Sequence, residues 1–201
     1  MCEAENMTDS DLYARFKDGD RQAYDQLLIR YGDDLTMYLY GYLHDWQDAE
    51  DMMIEAFARI MAKSPQIASG NFKAYLFRTG RNLSLRFWER KFHFKTFSLD
   101  SVDPEMADGV LTGSVGGQGT APDAEHEILD REQKATVLSC IDRIEPELRE
   151  VLFLVYVEEL SYAQASKIMG VNVKRIDHML SHGKAKMREE LGKEGITSSL
   201  D

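Results

Sequence analysis

Apolar side chains recur at three- and four-residue spacing along most of this chain, whereas the two-residue alternation of a half-buried strand is almost absent. One stripe runs through Tyr24, Leu27, Leu28, Tyr31, Leu35, Tyr38, Leu39 and Tyr42 and predicts a long helix from Asp20 to about Leu43. Ahead of it, Thr8-Asp9-Ser10-Asp11 carries the oxygen-bearing side chains of a helix start, and Gly19 would close that first helix. A third helix is expected from about Asp48 to Lys63 and a fourth from Phe72 to about Phe94. Between them, Ser64–Asn71 contains Pro65 and Gly70 and reads as a loop.

From Ser98 to about Asp123 the pattern disappears. Residues 111–120 are rich in glycine, sit among acidic residues and have little to bury, so this stretch is expected to be a flexible tether. Helical spacing resumes at Glu125 and continues to Leu191. Ile128, Leu129, Val137, Leu138, Ile141 and Ile144 precede a break at Pro146, and Leu148, Val151, Leu152, Leu154 and Val155 follow it. The expected fold is all-α, with two small helical domains over residues 1–97 and 125–201 joined by a linker over 98–124.

Within the second domain, Tyr162–His182 reads as two short helices around a turn at Gly170, the arrangement of a helix-turn-helix. The small Ser166 would let the helices approach, and Ile176 and Met179 would hold the second one to the core. Lys174, Arg175, Asp177, His178, Ser181 and His182 are then left for the outer face, where such side chains reach base edges and phosphates. A plain helical hairpin is the simpler reading, but the glycine turn and the polar second helix favour DNA.

The net charge of −11 argues against a nucleic-acid partner until its distribution is considered. Residues 66–98 hold 7 basic and 1 acidic side chains, and residues 160–193 hold 7 and 3. Residues 1–65 and 99–136 are strongly acidic. Exposed charges are screened beyond about 8–10 Å, so DNA can meet the two basic islands while acidic surface faces elsewhere. Cys2 and Cys140 are too few for a disulfide framework and read as reduced thiols. An acidic N-terminus and the lack of a long apolar run leave a cytoplasmic location, without membrane insertion, as the expectation.

The fourth helix concentrates the first basic island. Arg78, Asn82, Arg86 and Arg90 follow at four-residue steps, with Arg81, Lys91 and Lys95 nearby, and Phe72, Leu76, Thr79, Leu83 and Phe87 mark the buried side. Tyr75, Trp88, Phe92 and Phe94 are interleaved with these charges. Each aromatic reads first as core; the basic stripe reads as functional, because cations beside aromatic faces suit unpaired or melting DNA. In the third helix Asp48, Asp51 and Glu55 share one face, either a solvated surface or a docking site for a basic partner. A carboxylate metal centre would need Glu-x-x-His pairs, and His44 and His93 do not supply them. His178 and His182 have metal-ligand spacing, but Met179 stands where the metalloprotease pattern has Glu. No catalytic constellation, metal site or cofactor site is expected.

The order of these signals resembles the sigma-70 family of bacterial RNA polymerase sigma factors, in its small two-domain extracytoplasmic-function (ECF) type. Ala49-Glu50-Asp51-Met52-Met53-Ile54-Glu55-Ala56-Phe57 is similar to the family run Ala-Glu-Asp-Leu-Val-Gln-Glu-Val-Phe. Tyr75-Leu76-Phe77-Arg78-Thr79-Gly80-Arg81-Asn82 is similar to Trp-Leu-Tyr-Arg-Ile-Ala-Arg-Asn. Asp11-Leu12 and Gly19-Asp20-Arg21-Gln22-Ala23-Tyr24 resemble the family start. Arg149-Glu150-Val151-Leu152, Leu160-Ser161-Tyr162, Gly170-Val171 and Lys184-Ala185-Lys186-Met187-Arg188 resemble its second domain. The likeness covers roughly residues 8–97 and 125–191.

The resemblance implies a non-enzymatic initiation factor whose partners are core RNA polymerase, promoter DNA and an anti-sigma factor. It places Asp48, Asp51 and Glu55 at the polymerase, and Arg78, Arg81, Asn82, Arg86, Arg90 and Lys91 along the melting −10 element. Ser64–Asn71 would capture a flipped base. Lys174, Arg175, Asp177, His178, Ser181 and His182 would read the −35 element, and the linker would follow the RNA exit path. Ile54 in place of a family Gln implies an altered polymerase contact. Tyr75 for Trp, Arg86 for Asp and His182 for Arg imply a different promoter sequence. The principal rival is a stand-alone helix-turn-helix regulator.

Overall fold

The computed structural model describes residues 7–97, 140–141 and 143–195, with side chains through residue 91 in the first segment. Four helices make the N-terminal bundle: α1 (Asp9–Lys17), α2 (Arg21–Leu43), α3 (Trp46–Lys63) and α4 (Phe72–Phe97). The C-terminal unit contains α5 (Pro146–Leu152), a π-helical turn (Phe153–Val157), α6 (Tyr162–Met169) and α7 (Val173–Lys193). Among the described residues there is no strand. The expected linker, the helical stretch expected before Cys140 with Ile128, Leu129, Val137 and Leu138, and the side chains of Phe92, Phe94 and Lys95 lie outside the described residues.

The helix boundaries follow local hydrogen-bond chemistry. Thr8 caps α1 by accepting from the Asp11 N–H, and Asp20 caps α2 by accepting from Gln22. The third helix starts at Trp46, ahead of the expected Asp48, because Asp45 accepts from the Asp48 N–H and so sets the first turn. Pro146, expected as a break, occupies the first turn of α5, where a missing N–H costs nothing. The continuous helical spacing from Leu148 to Val155 conceals a change of pitch. The widened turn at Phe153–Val157 is followed by left-handed Glu159 (φ 53°), and Glu158 faces α4.

Leu12, Leu27, Leu35, Leu39, Phe57, Ile60, Leu76 and Phe77 form the centre of the first bundle. Gly80 permits α4 to lie close on α2: a Cβ there would come within 3.1–3.4 Å of Leu35 and Leu39. In the second unit Val151, Leu154, Leu160, Ala165, Ile168, Ile176, Met179 and Leu180 are buried together. The two units are packed against each other, α6 on α4, rather than standing apart.

Candidate nucleic-acid interface

The helix-turn-helix forms as its sequence suggests. Ser161 and Gln164 make a reciprocal capping box at the start of α6. Gly170 ends that helix at φ 72°, a left-handed conformation that penalises any Cβ. Asn172 then caps α7 by accepting from the Arg175 N–H at 2.8 Å. Ile176 and Met179 are buried as expected, but the small residue sealed between the helices is Ala165; Ser166 is only half-buried and donates to the Ala163 carbonyl. Lys174, Arg175, Asp177, His178, Ser181 and His182 are all exposed on one side of α7. Arg175 reaches Glu147 at 3.1 Å, and the rings of His178 and His182 lie 6.4 Å apart.

On α4, Arg78, Asn82, Arg86 and Arg90 form an exposed ridge. Tyr75 and Trp88 were expected in the core, yet they are 38% and 46% exposed. The core positions are filled instead by Phe72, Ala74, Leu76, Phe77, Leu83 and Ser84, leaving these two rings outside the buried stripe. Thr79 and Phe87 are only half-buried for the same reason. A pocket of about 150 Å³ opens between α3 and α4, lined by Arg59, Lys63, Tyr75, Thr79, Asn82 and Arg86. Arg59 and Lys63 are its unforeseen members. Their four-residue spacing at the end of α3 is visible in the sequence, but only the packing of α3 on α4 adds them to the basic ridge.

Two of the expected cations are engaged elsewhere. Lys91 donates to Asp48 at 2.7 Å, linking α4 to the acidic helix. Arg81 is turned toward the second unit, where its Nε and a terminal nitrogen donate to the Glu150 carboxylate at 2.8 and 3.4 Å. Tyr38 donates to the same carboxylate at 2.8 Å, and Arg81 Nε also donates to Tyr42 Oη at 3.2 Å. Burial pushes the Tyr38 and Tyr42 phenols well above their ordinary range, and the adjacent Glu150 charge adds to this. Along the same side of α4, Lys73 donates to the Glu158 carbonyl at 2.9 Å and lies 2.9 Å from its carboxylate. Burial pushes the Glu158 carboxyl up, with Lys73 opposing.

The acidic face of α3 is divided. Asp48 is spent on Lys91, Glu55 pairs with Arg59 at 2.6 Å, and Asp51 is exposed. Between them Ile54 projects into solvent, 57% exposed. Ser64–Asn71 is a loop braced by Tyr13, which donates to the Pro65 carbonyl at 2.9 Å. Among the described residues no helix is long and apolar enough to cross a membrane, and no group of three or more His, Cys, Asp or Glu is placed to hold a metal ion.

Known proteins place this architecture. Residues 27–92 match the family model for sigma-70 region 2, and residues 134–187 match that for sigma-70 region 4. The chain is 26% identical to the ECF RNA polymerase sigma factor SigE of Mycolicibacterium smegmatis over 178 residues, 87% of this chain and 65% of that protein. It is 26% identical to the RNA polymerase sigma factor CnrH of Cupriavidus metallidurans over 189 residues, 90% of this chain and 94% of that protein. In fold it is similar to the sigma factor RpoE of Bartonella quintana, solved in complex with the anti-sigma factor NepR. That likeness has a TM-score of 0.62 at 21% identity and covers 84% of this chain and 96% of that one. A region 2 bundle followed by a region 4 helix-turn-helix, matched in order and over most of the chain, makes this protein a member of the sigma-70 family, of the ECF type.

Proposed function

We propose that the chain joins core RNA polymerase, directs it to a specific class of promoters and helps open the duplex there. The exposed α4 ridge, with Tyr75 and Trp88 partly exposed beside it, carries this reading. Arg78, Asn82, Arg86 and Arg90 neutralise phosphates around the −10 element, and the two rings stack on bases as they unpair. Binding energy to the single strand offsets the cost of melting. On α7, Lys174, Arg175, Asp177, His178, Ser181 and His182 read the −35 element in the major groove. Asp51 and Glu55, with Ile54 between them, dock on polymerase, and Asp48 supports that surface through Lys91.

The division into domains at residues 97 and 125 belongs to the same proposal. Phosphodiester chemistry stays with the polymerase, so the chain acts in the cytoplasm without catalysis of its own. The complex of the Bartonella quintana relative supports a proteinaceous anti-sigma partner here as well. A stand-alone regulator would bind duplex DNA unaided and would have no use for exposed aromatics along a basic ridge.

Run-off transcription with core polymerase on a library of random promoters tests the proposal. Initiation from a defined sequence class only when the protein is added is the expected result. Tight duplex binding by the free protein, with no effect on core polymerase, would overturn it.

A further inference from the structure

His178 and His182 stand one turn apart on α7, with ring centres 6.4 Å from each other. Both side chains are exposed, and among the described residues neither imidazole has a hydrogen-bond or ion-pair partner. A neutral imidazole keeps one nitrogen lone pair, so each ring offers solvent an acceptor. The helix beneath them is anchored, because Ile176, Met179 and Leu180 are buried on its other side. The two rings are therefore held in register before any ligand arrives.

Residues four apart on a helix share a face, close enough for two imidazoles to reach one ion. With metal–nitrogen bonds of about 2.1 Å, two rings on a shared ion have centres about 5–6.5 Å apart. The separation in the structure needs only a small turn of two solvent-facing side chains. Imidazole nitrogen suits zinc, copper and nickel, whereas magnesium and calcium take oxygen ligands. Met179 supplies no carboxylate to activate water, and it is buried, so the pair can bind an ion without hydrolytic chemistry. The surrounding charges are mixed. Asp177 is exposed beside His178, Arg175 is engaged by Glu147, Lys186 is held by Glu189 at 3.2 Å, and Lys174 stands one turn before His178.

We propose that His178 and His182 form a two-imidazole site for a divalent transition-metal ion, occupied in alternation with −35 DNA. Water fills the remaining positions around the ion. The ion and that water lie where the two rings would otherwise meet base edges, so one surface cannot hold both. The metal site itself goes beyond promoter direction, while its competition with DNA rests on that function. Coupling of this kind is reciprocal: metal weakens DNA binding by the same factor as DNA weakens metal binding.

Calorimetric titration of zinc into the untagged full-length chain tests the site, with Cys2→Ser as background so that its thiol does not compete. His178→Ala and His182→Ala should each raise the dissociation constant by at least roughly tenfold, the lower end of what disturbing a ligand's supporting partners costs. His44→Ala, an exposed histidine of the first bundle, should leave it unchanged. Adding Ser181→His to His182→Ala places the second ring three residues from His178 and should restore most of the affinity. Copper(II) spin resonance should show coupling to two nitrogens in the unaltered pair and to one in each alanine variant. Zinc binding indifferent to both alanine variants, or equally weakened by His44→Ala, would overturn the site, and so would failure of the relocated histidine to restore it. For the competition, zinc should weaken binding of polymerase carrying this chain to a duplex that initiates in run-off transcription, by roughly 5- to 150-fold. It should have no effect when the chain carries His182→Ala. No effect on the unaltered chain, or the same effect on both, would overturn the competition. The titrations and spectra contain neither DNA nor polymerase, so they succeed or fail independently of promoter direction.

Discussion

Lys91 and Asp48 are bound to each other, ammonium to carboxylate at 2.7 Å, so a cation expected at DNA and an acid expected at polymerase neutralise one another across α3 and α4. Lys91 is about half exposed, and pairs of this kind are worth between zero and about 1 kcal/mol. Asp48→Asn and Lys91→Gln should each lower stability by less than about 1 kcal/mol in urea melts, with a double-mutant cycle closing near the same figure. A loss of several kcal/mol would mean that the pair organises the bundle rather than decorating it.

Polymerase affinity should depend on Asp51 and Glu55 far more than on Asp48. Asp51→Arg with Glu55→Arg is expected to weaken binding to core polymerase by tenfold or more, about 1.4 kcal/mol, in fluorescence anisotropy. Stability should fall by no more than about 1 kcal/mol, the cost of losing the Glu55–Arg59 pair, because Asp51 is exposed and that pair is partly exposed. Equal weakening by Asp48→Asn alone would contradict this assignment.

On α4 the cations and the aromatics should separate by their salt response. Arg86→Ala should reduce the salt slope of oligonucleotide binding by about one counterion. Tyr75→Ala should cost about 1–3 kcal/mol of single-strand affinity with the slope unchanged. If Tyr75→Ala altered duplex and single-strand binding equally, stacking on unpaired bases would be the wrong role.

The turn before α7 is constrained by conformation rather than by space. Nothing lies within 4 Å of a Cβ built on Gly170, yet its φ is +72°. Gly170→Ala should therefore cost about 1–2 kcal/mol from left-handed strain alone. By contrast His178→Ala on the exposed face should leave stability within about 0.5 kcal/mol while changing preference at one or two −35 bases. A systematic binding selection on both variants separates the two effects.

Tyrosine ionisation offers a pH handle on the interface. Tyr38 and Tyr42 keep their protons above the ordinary range of about 10 because burial disfavours the phenolate and Glu150 adds negative charge. A phenol raised in the folded state contributes stability that is complete below about pH 10 and is lost as pH climbs from there. Absorbance titration near the phenolate band should show a late, cooperative phase coinciding with loss of structure. Glu150→Gln should move that phase to lower pH; uniform titration of all tyrosines at ordinary values would sink the assignment.

Much of this protein is legible in short-range chemistry. A cap such as Thr8, Asp20 or Asn172 acts on a backbone N–H two or three residues away, and the left-handed turn at Gly170 depends on one residue. The periodic stripes of α2 and α4 likewise state which face must leave water, and the exposed face of α7 follows from Ile176 and Met179. Helix content, the helix-turn-helix and the exposure of the six polar residues along α7 were therefore determined by the sequence alone. What it could not decide were matters of long-range partnership. A basic stripe looks uniform until Arg81 and Lys73 find carboxylates 69 and 85 residues away, while Arg78, Asn82, Arg86 and Arg90 find solvent. Tyr75 and Trp88 carry the same apolar surface as buried rings, and only the packing of α4 left them partly exposed. The tertiary structure decided these points because the energy of a charge or a ring depends on what desolvates it, and that neighbour is chosen by the fold.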